Sequence, residues 1–201
     1  MRAVIIGNGD ISDYAYIKTK LFDDDYFICA DGGSRHIEKL GICADVAIGD
    51  FDSSTESDDV KSYVYPSEKD FTDGELAVTY AIENGYDEIL LIGMTGSRLD
   101  HTFTNIFQLF KGDKISLLDD KNEIFALKDT LVINNKKGST LSVVPVFSDL
   151  LGVSSEGLYY PMHNETLYFG KGRGNSNIIT DDVCTISVKE GMGLVFINNG
   201  E

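Results

Sequence analysis

The chain has 201 residues, of which 42% are hydrophobic and 25% are charged, and its formal net charge is -16 at pH 7. This composition predicts a folded globular protein, and so acidic a surface argues against nucleic acid as a partner because it would repel the phosphates. No apolar run is long enough to cross a membrane, and the opening MRAVIIGNGD reaches Gly and Asp too early for a signal peptide, so we expect a cytoplasmic location.

Along the first two thirds of the chain, short apolar runs alternate with helical patterns. The predicted strands are residues 3–6, 26–30, 46–48, 60–65, 88–94, 115–118 and 123–127. One helix is predicted over 73–84. A second follows the strand at 88–94, with a core-facing stripe formed by Phe103, Ile106, Phe107 and Phe110. This alternation predicts an α/β domain over residues 1–130, with a mostly parallel, Rossmann-like sheet and helices on both faces.

From about residue 131 the pattern changes to short alternating runs separated by glycines. The runs STLSVVPV, TLYFG, CTISVKE and GLVFIN are typical of short strands, and no helical period of useful length remains. We therefore predict a second, smaller all-β domain over residues 131–201, built as a sandwich or jelly roll.

Several aspartates follow predicted strands of the N-terminal domain. Asp10, Asp31 and Asp50 come at or just after strand ends, and Asp100 lies in the turn and helix start after the strand at 88–94. Ligands of open α/β sheets bind outside the carboxyl ends of the strands, so these carboxylates are expected at one rim. Asp50 and Asp52 would repel each other without a cation and could supply two oxygens to Mg²⁺. Taken singly, each aspartate could also be a turn or cap residue.

Two further clusters accompany the predicted helices. In EKDFTDGELA, Thr72 and Glu75 have the spacing of a capping box and Asp73 is favoured by the helix dipole. Asp70 has no such structural explanation. In GMTGSRLDHTFTN, glycines let the backbone approach a ligand, and Arg98 could bind a phosphate through paired hydrogen bonds. The two clusters favour a phosphate-binding rim, although capping alone could explain TDGE.

Other common sites are not predicted. The chain contains no G-x-x-x-x-G-K-[ST] motif, and GNGDIS lacks the third glycine of the dinucleotide fingerprint. The cysteines Cys29, Cys43 and Cys184 are odd in number and far apart, so neither a disulfide framework nor a zinc site is indicated. We expect all three to be small buried thiols.

Taken in order, the motifs resemble those of the thiamine pyrophosphokinase family. The matching stretches, which span most of the chain, are ADGGSRHIEKLG, ADVAIGDFDS, EKDFTDGELA, GMTGSRLDHTFTN, SSEGLYY and GNSN. The resemblance implies an ATP- and Mg²⁺-binding α/β domain joined to a thiamine-binding β-sandwich domain, acting as a homodimer with substrate sites at the interface. The implied reaction transfers the diphosphate of ATP to the hydroxyethyl oxygen of thiamine and releases AMP.

The matching positions also imply roles for single residues. The implied Mg²⁺ ligands are Asp50, Asp52 and Asp73. The residues implied to face the nucleotide and its phosphates are Asp31, Gly32, Gly33, Asp70, Thr72, Arg98, Asp100 and Asn105. Thiamine would contact Ser176 and Asn177. Catalysis would depend on Arg98, Asp73 and Asp100, and either of the two carboxylates could accept the proton of the attacking alcohol.

Two other functions remain as alternatives. The first is a diphosphokinase acting on another hydroxymethyl heterocycle, such as a pterin, and the second is a nucleotide- or metal-binding module without activity. The C-terminal stretches EGLYY and GNSN favour thiamine over the other heterocycles.

Overall fold

The computed structural model describes residues 1–49, 61–64 and 70–198, and the chain divides into two compact units, Met1–Asp120 and Lys121–Glu201. The division comes earlier than the boundary predicted at residue 130. Strand Asn122–Leu127 belongs to the C-terminal unit because it pairs along its whole length with Gly193–Asn198. None of the helices described for these residues has the length and apolar character needed to cross a membrane.

The N-terminal unit contains a parallel sheet. Its strands are β1 (Arg2–Ile6), β2 (Tyr26–Ala30), β3 (Val46–Gly49), β4 (Lys61–Val64), β5 (Glu88–Ile92) and β6 (Ile115–Leu118). They lie in the order β4-β3-β2-β1-β5-β6, and each neighbouring pair is parallel. Strand β1 is fully buried from Ala3 to Ile6. Strands of parallel sheets are covered on both faces, which explains why they were visible in the sequence as continuous apolar runs.

The helices of this unit are α1 (Tyr14–Lys18), α2 (Ser34–Leu40), α3 (Asp73–Glu83) and α4 (Leu99–Phe107), with 3-10 turns at Asp31–Gly33 and Gln108–Lys111. The predicted capping box begins α3. The Thr72 hydroxyl accepts from the Glu75 N–H at 3.2 Å, and the Glu75 carboxylate accepts from the Thr72 N–H at 3.0 Å. Two donors at the helix end are thereby satisfied, which fixes where α3 starts.

The predicted phenylalanine stripe on α4 is wrong in part. Ile106 is buried, but Phe103 and Phe107 are 57% and 39% exposed and pack against each other with ring centroids 6.2 Å apart. The prediction assumed an α-helix continuing to Phe110, whereas the chain tightens into a 3-10 turn at Gln108. The tighter turn changes the direction of the side chains that follow Phe107, and Leu109 is buried there. Phe103 and Phe107 precede the turn and lie on a part of α4 that stays exposed.

One cysteine also departs from expectation. Cys29 and Cys184 are buried as predicted, but Cys43 is exposed. Cys43 lies in the loop between α2 and β3, whereas Cys29 and Cys184 lie within strands. Its environment therefore differs from that of the two core thiols.

The C-terminal unit is built from antiparallel strands. They are β7 (Asn122–Leu127), β8 (Thr130–Asn134), β9 (Thr140–Glu156), β10 (Glu165–Leu167), β11 (Asn177–Ile178), β12 (Val183–Ser187) and β13 (Glu190–Asn198). The order is β7-β13-β9-β12-β8, and β10 and β11 also pair with β9. Alternate residues point into a core that includes Leu141, Val143 and Val195.

Candidate active site

The sheet of the N-terminal unit reverses its order beside β1. The chain leaves β1 for β2, β3 and β4 on one side and later places β5 and β6 on the other. At such a switch point the loops after two neighbouring strands separate and leave a crevice at the carboxyl ends. Here a cleft of ≈ 450 Å³ is lined by residues 7–10 and 93–98, the start of α3 and one face of α4.

The two glycine-containing loops after β1 and β5 run side by side. The N–H groups of Gly7, Gly9 and Asp10 donate to the carbonyls of Ile92, Gly93 and Thr95 at 2.9, 2.6 and 2.7 Å. A side chain at Gly9 would collide with the Thr95 and Gly93 carbonyl oxygens. Glycine is therefore required for the close approach of the two backbones, and the loops form one wall of the cleft.

Two side chains of helix α2 bind the backbone of this wall, Arg35 from within the cleft and His36 from outside its lining. Nη2 of Arg35 donates to the carbonyls of Asn8 and Gly9 at 2.7 and 2.9 Å. His36 is 2% exposed, and its Nε2 lies 2.8 Å from the same Gly9 carbonyl oxygen. Burial lowers the pKa of His36, which keeps the ring neutral near pH 7. The Tyr14 hydroxyl lies 2.7 Å from the other ring nitrogen, Nδ1.

Asn8, Arg35 and His36 were not among the residues predicted from the sequence. The signal that could have identified Arg35 is its place in the first turn of a helix that follows the carboxyl end of a strand. The hydrogen bonds of His36 join positions far apart in sequence, and no local pattern marks them.

The predicted nucleotide-binding residues after β2 lie beside the same wall. Asp31 begins the 3-10 turn at the end of β2, and its side chain lies outside the described part of the structure. A Cβ at Gly33 would collide with the Ile6 carbonyl oxygen, and one at Gly32 would lie 2.5 Å from Nδ2 of Asn8. Both glycines therefore have a packing role, and their contact with a nucleotide remains a prediction.

The start of α3 brings two predicted residues into the cleft. Thr72 and Asp73 both line it, and Asp73 is half-buried in the first turn of the helix. Asp70 is exposed and lies outside the lining. The predicted metal ligands Asp50 and Asp52 fall outside the described residues.

The turn before α4, at the end of the loop after β5, also lines the cleft. Arg98 lines the cleft and forms an ion pair with Asp100, with Nη2 to Oδ2 at 2.6 Å and Nε to Oδ1 at 3.3 Å. Asp100 itself is not part of the lining, and the hydrogen bond from Arg98 lowers the pKa of its carboxyl to about 2. Asn105 lines the cleft and donates from Nδ2 to the Met94 carbonyl at 2.8 Å.

The charges on the cleft wall suit a phosphate ligand accompanied by a cation. Arg35 and Arg98 carry positive charge, and Asp10 and Asp73 supply carboxylate oxygens. These are the hard donors that Mg²⁺ takes in proteins, so the donor set fits that ion. Over residues 1–49, 61–64 and 70–198, no group of three or more His, Cys, Asp or Glu side chains could hold a metal by itself.

The predicted thiamine residues lie in the C-terminal unit. Ser176 has a φ of 58°, borders a polar depression of ≈ 620 Å³, and donates from its N–H to the Ser142 hydroxyl at 3.0 Å. The Asn177 side chain is buried. Its Oδ1 accepts from the Tyr160 N–H at 3.0 Å and its Nδ2 donates to the Tyr160 carbonyl at 2.7 Å. Asn177 thus holds the loop that carries Tyr159 and Tyr160.

Comparison with known proteins points to one family. Residues 18–118 match the family described as the thiamin pyrophosphokinase catalytic domain, and residues 129–193 match the thiamin pyrophosphokinase vitamin B1 binding domain. The thiamine pyrophosphokinase of Bacillus subtilis is 32% identical over 179 residues, covering 83% of this chain and 84% of the relative. Thiamin pyrophosphokinase 1 of Caenorhabditis elegans is 26% identical, covering 85% and 77%.

Solved structures agree with these matches. The crystal structure of the Bacillus subtilis thiamine pyrophosphokinase aligns with a TM-score of 0.87 at 28% identity, covering 98% of this chain and 99% of that one. The thiamin pyrophosphokinase of Geobacillus thermodenitrificans aligns with a TM-score of 0.86 at 26% identity, covering 98% and 97%. The similarity therefore extends over both units.

Proposed function

This chain belongs to the thiamin pyrophosphokinase family, the enzymes that transfer the diphosphate of ATP to thiamine. We propose that it carries out this reaction in the cleft lined by the paired loops after β1 and β5. The observation that supports this location is the pairing of two glycine-containing loops at the switch point of the sheet. The cleft beside them is also lined by Arg35 in α2 and by Arg98 at the N-cap of α4. Glycine loops admit a diphosphate close to the backbone, and guanidinium groups bind its oxygens.

The reaction requires an alcohol oxygen of thiamine to attack the β-phosphorus of ATP, so that the bond to the α-phosphate oxygen breaks and AMP leaves. Arg35 and Arg98 lie where they can bind phosphate oxygens and hold the diphosphate in line with the alcohol. Mg²⁺ held by Asp73 together with Asp50 and Asp52 would offset the negative charge of the phosphates.

Of the two carboxylates proposed to accept the proton of the alcohol, the geometry favours Asp73. Asp73 lines the cleft, whereas Asp100 lies outside the lining and is paired with Arg98. A carboxylate with a pKa of about 2 is a weak proton acceptor at neutral pH. We therefore assign Asp100 the role of orienting the Arg98 guanidinium.

This assignment predicts the behaviour of Asp100→Asn. The KM for ATP is expected to rise about 3- to 10-fold because Arg98 loses its charged partner. The acid limb of the pH profile of kcat is expected to stay in place, since a carboxyl with a pKa of about 2 is ionised throughout the assay range. Steady-state kinetics between pH 5 and pH 9 measure both quantities. Loss of the acid limb in Asp100→Asn would instead make Asp100 the proton acceptor.

The proposal extends to the rest of the molecule. The N-terminal unit would be a Rossmann-like ATP domain with helices on both faces, and the C-terminal unit a sandwich that binds thiamine and forms a homodimer. Exposed aromatic side chains of the C-terminal unit support this: Tyr159, Tyr160, Tyr168 and Phe169 are 57 to 62% exposed, and substrate or a second copy would cover them. A cytoplasmic location stays a prediction from the sequence.

The function is tested by mass spectrometry of the products formed from ATP, thiamine and Mg²⁺. Thiamine diphosphate and AMP in equal amounts are the expected result. Thiamine monophosphate with ADP would show transfer of a single phosphate, and turnover of a hydroxymethyl pterin in place of thiamine would support the alternative acceptor. Binding of ATP without turnover of either acceptor would leave only a nucleotide-binding module.

A further inference from the structure

We propose that His36 is a positioning residue for the reaction, which fixes the Gly9–Asp10 peptide and thereby aims the Asp10 carboxylate at the cleft. The proposal rests on the proposed function of that cleft. His36 is buried behind the wall and is not part of the cleft lining, so it would act only through the loop it holds.

The Gly9–Asp10 peptide is held from both sides. Its carbonyl oxygen accepts from Nε2 of His36 at 2.8 Å and from Nη2 of Arg35 at 2.9 Å. Its N–H donates to the Thr95 carbonyl at 2.7 Å. Three hydrogen bonds on one peptide group fix the orientation of its plane, and this orientation sets the direction in which the next side chain, Asp10, leaves the backbone.

The hydrogen bonds determine which ring nitrogen of His36 carries the proton. A carbonyl oxygen only accepts, so Nε2 must donate to Gly9. In the neutral ring Nδ1 then accepts, and the Tyr14 hydroxyl donates to it at 2.7 Å. The Gly9 carbonyl therefore fixes the tautomer of His36, and the Tyr14 hydroxyl on α1 supplies the donor for the remaining ring nitrogen.

The Asp10 carboxylate packs closely against the neighbouring loop. A Cβ placed on Gly96 would lie 2.9 Å from Oδ2 of Asp10, so the carboxylate rests directly against the turn that leads to Arg98. Without the His36 hydrogen bond the Gly9 carbonyl would be held by Arg35 alone, and the peptide could then rotate and move this carboxylate relative to Arg98 and Asp73. Displacements of about 1 Å in a reaction centre can lower rates by about 100-fold.

His36 forms two hydrogen bonds, one to Gly9 and one to Tyr14, and two substitutions each keep one of them and remove the other. In His36→Gln the side-chain amide nitrogen reaches the place of Nε2 and preserves donation to Gly9. In His36→Asn the amide oxygen takes the place of Nδ1 and accepts from Tyr14, but donation to Gly9 is lost. Tyr14→Phe removes the same hydrogen bond as His36→Gln and is the matched control.

A positioning role predicts that kcat separates the variants according to the Gly9 hydrogen bond. We expect kcat of His36→Asn to fall about 10- to 100-fold, while His36→Gln and Tyr14→Phe stay within about threefold of the original chain. The thermal midpoints of the two His36 variants should fall by similar amounts, because each loses one buried hydrogen bond. Equal kcat values in His36→Asn and His36→Gln, with losses that follow the thermal midpoints, would overturn the proposal.

Hydrogen exchange tests the same inference without turnover. The Asp10 amide, which donates to Thr95, should exchange faster in His36→Asn than in His36→Gln, and equal exchange rates would contradict the proposed positioning. Absence of thiamine diphosphate with the unaltered chain would refute the proposed function, whereas the exchange comparison would still decide the role of His36.

Discussion

Asp73→Asn is expected to lower kcat/KM for thiamine diphosphate formation by about two to four orders of magnitude. Asp73 is half-buried in the first turn of α3 and lines the cleft. Asparagine has nearly the same shape, but its amide cannot accept the alcohol proton and is a poorer ligand for Mg²⁺. Because the capping box of Thr72 and Glu75 is untouched, α3 should still begin at the same residue.

The expected result for Asp73→Asn is measured by steady-state kinetics at saturating Mg²⁺, alongside thermal unfolding. Removing a half-buried carboxylate from a helix start weakens the helix by about 1 to 2 kcal/mol, so the fold should survive. Asp24→Asn is a suitable control, since it removes one negative charge from an exposed loop outside the cleft. If kcat/KM of Asp73→Asn stayed within about threefold of the original value, the chemistry would have to depend on other groups.

Asp25→Ala is expected to lower the free energy of unfolding of the N-terminal unit by about 3 kcal/mol. The Asp25 carboxylate is 1% exposed and accepts from Nε and Nη2 of Arg2 at 2.8 and 2.7 Å. It also accepts from the Phe22 N–H at 2.8 Å. Alanine would leave Arg2, whose side chain is only 14% exposed, without its charged partner, and would remove the acceptor of a backbone N–H.

Urea unfolding followed by circular dichroism measures this loss. The neighbouring Asp24→Ala is the matched control, because Asp24 lies in the same loop but is exposed, and its unfolding curve should coincide with that of the original chain. The double variant Arg2→Met with Asp25→Leu should lose less stability than Asp25→Ala, since no buried charge is left unpaired. An Asp25→Ala curve that overlaps the original would show that the ion pair contributes nothing to the N-terminal unit.

The sequence predicted those features whose physical cause is local. The strands of the parallel sheet were visible because they are apolar on both faces, and β2 was predicted with its observed limits of Tyr26–Ala30. The capping box at Thr72 was visible because its two residues are three positions apart. The family and its reaction could be predicted because the motifs occur in a specific order along the chain. Comparison with known proteins confirmed this prediction.

Features that depend on long-range packing were not predictable in this way. Arg35 and His36 act on carbonyl groups of the loop after β1, and the sequence carries no pattern for hydrogen bonds to a backbone so distant. Phe103 resembled a core residue because it is apolar and in phase with Ile106, but a helical period shows only which residues share a face and not what covers that face. Asp100 looked equivalent to Asp73 in the motifs, and the structure distinguishes them only through long-range geometry, since Asp73 lines the cleft and Asp100 is paired with Arg98.

The pairing of strand β9 indicates that the two units complete their folds at different times during synthesis. This strand pairs with β10, β11, β12 and β13, all of which are made after it, and β13 is also the strand that pairs with β7. The C-terminal sheet is therefore incomplete until the ribosome has passed Asn198. The strands described for the N-terminal unit have all been made by Leu118, so the cleft at their carboxyl ends can form before the C-terminal strands have their partners.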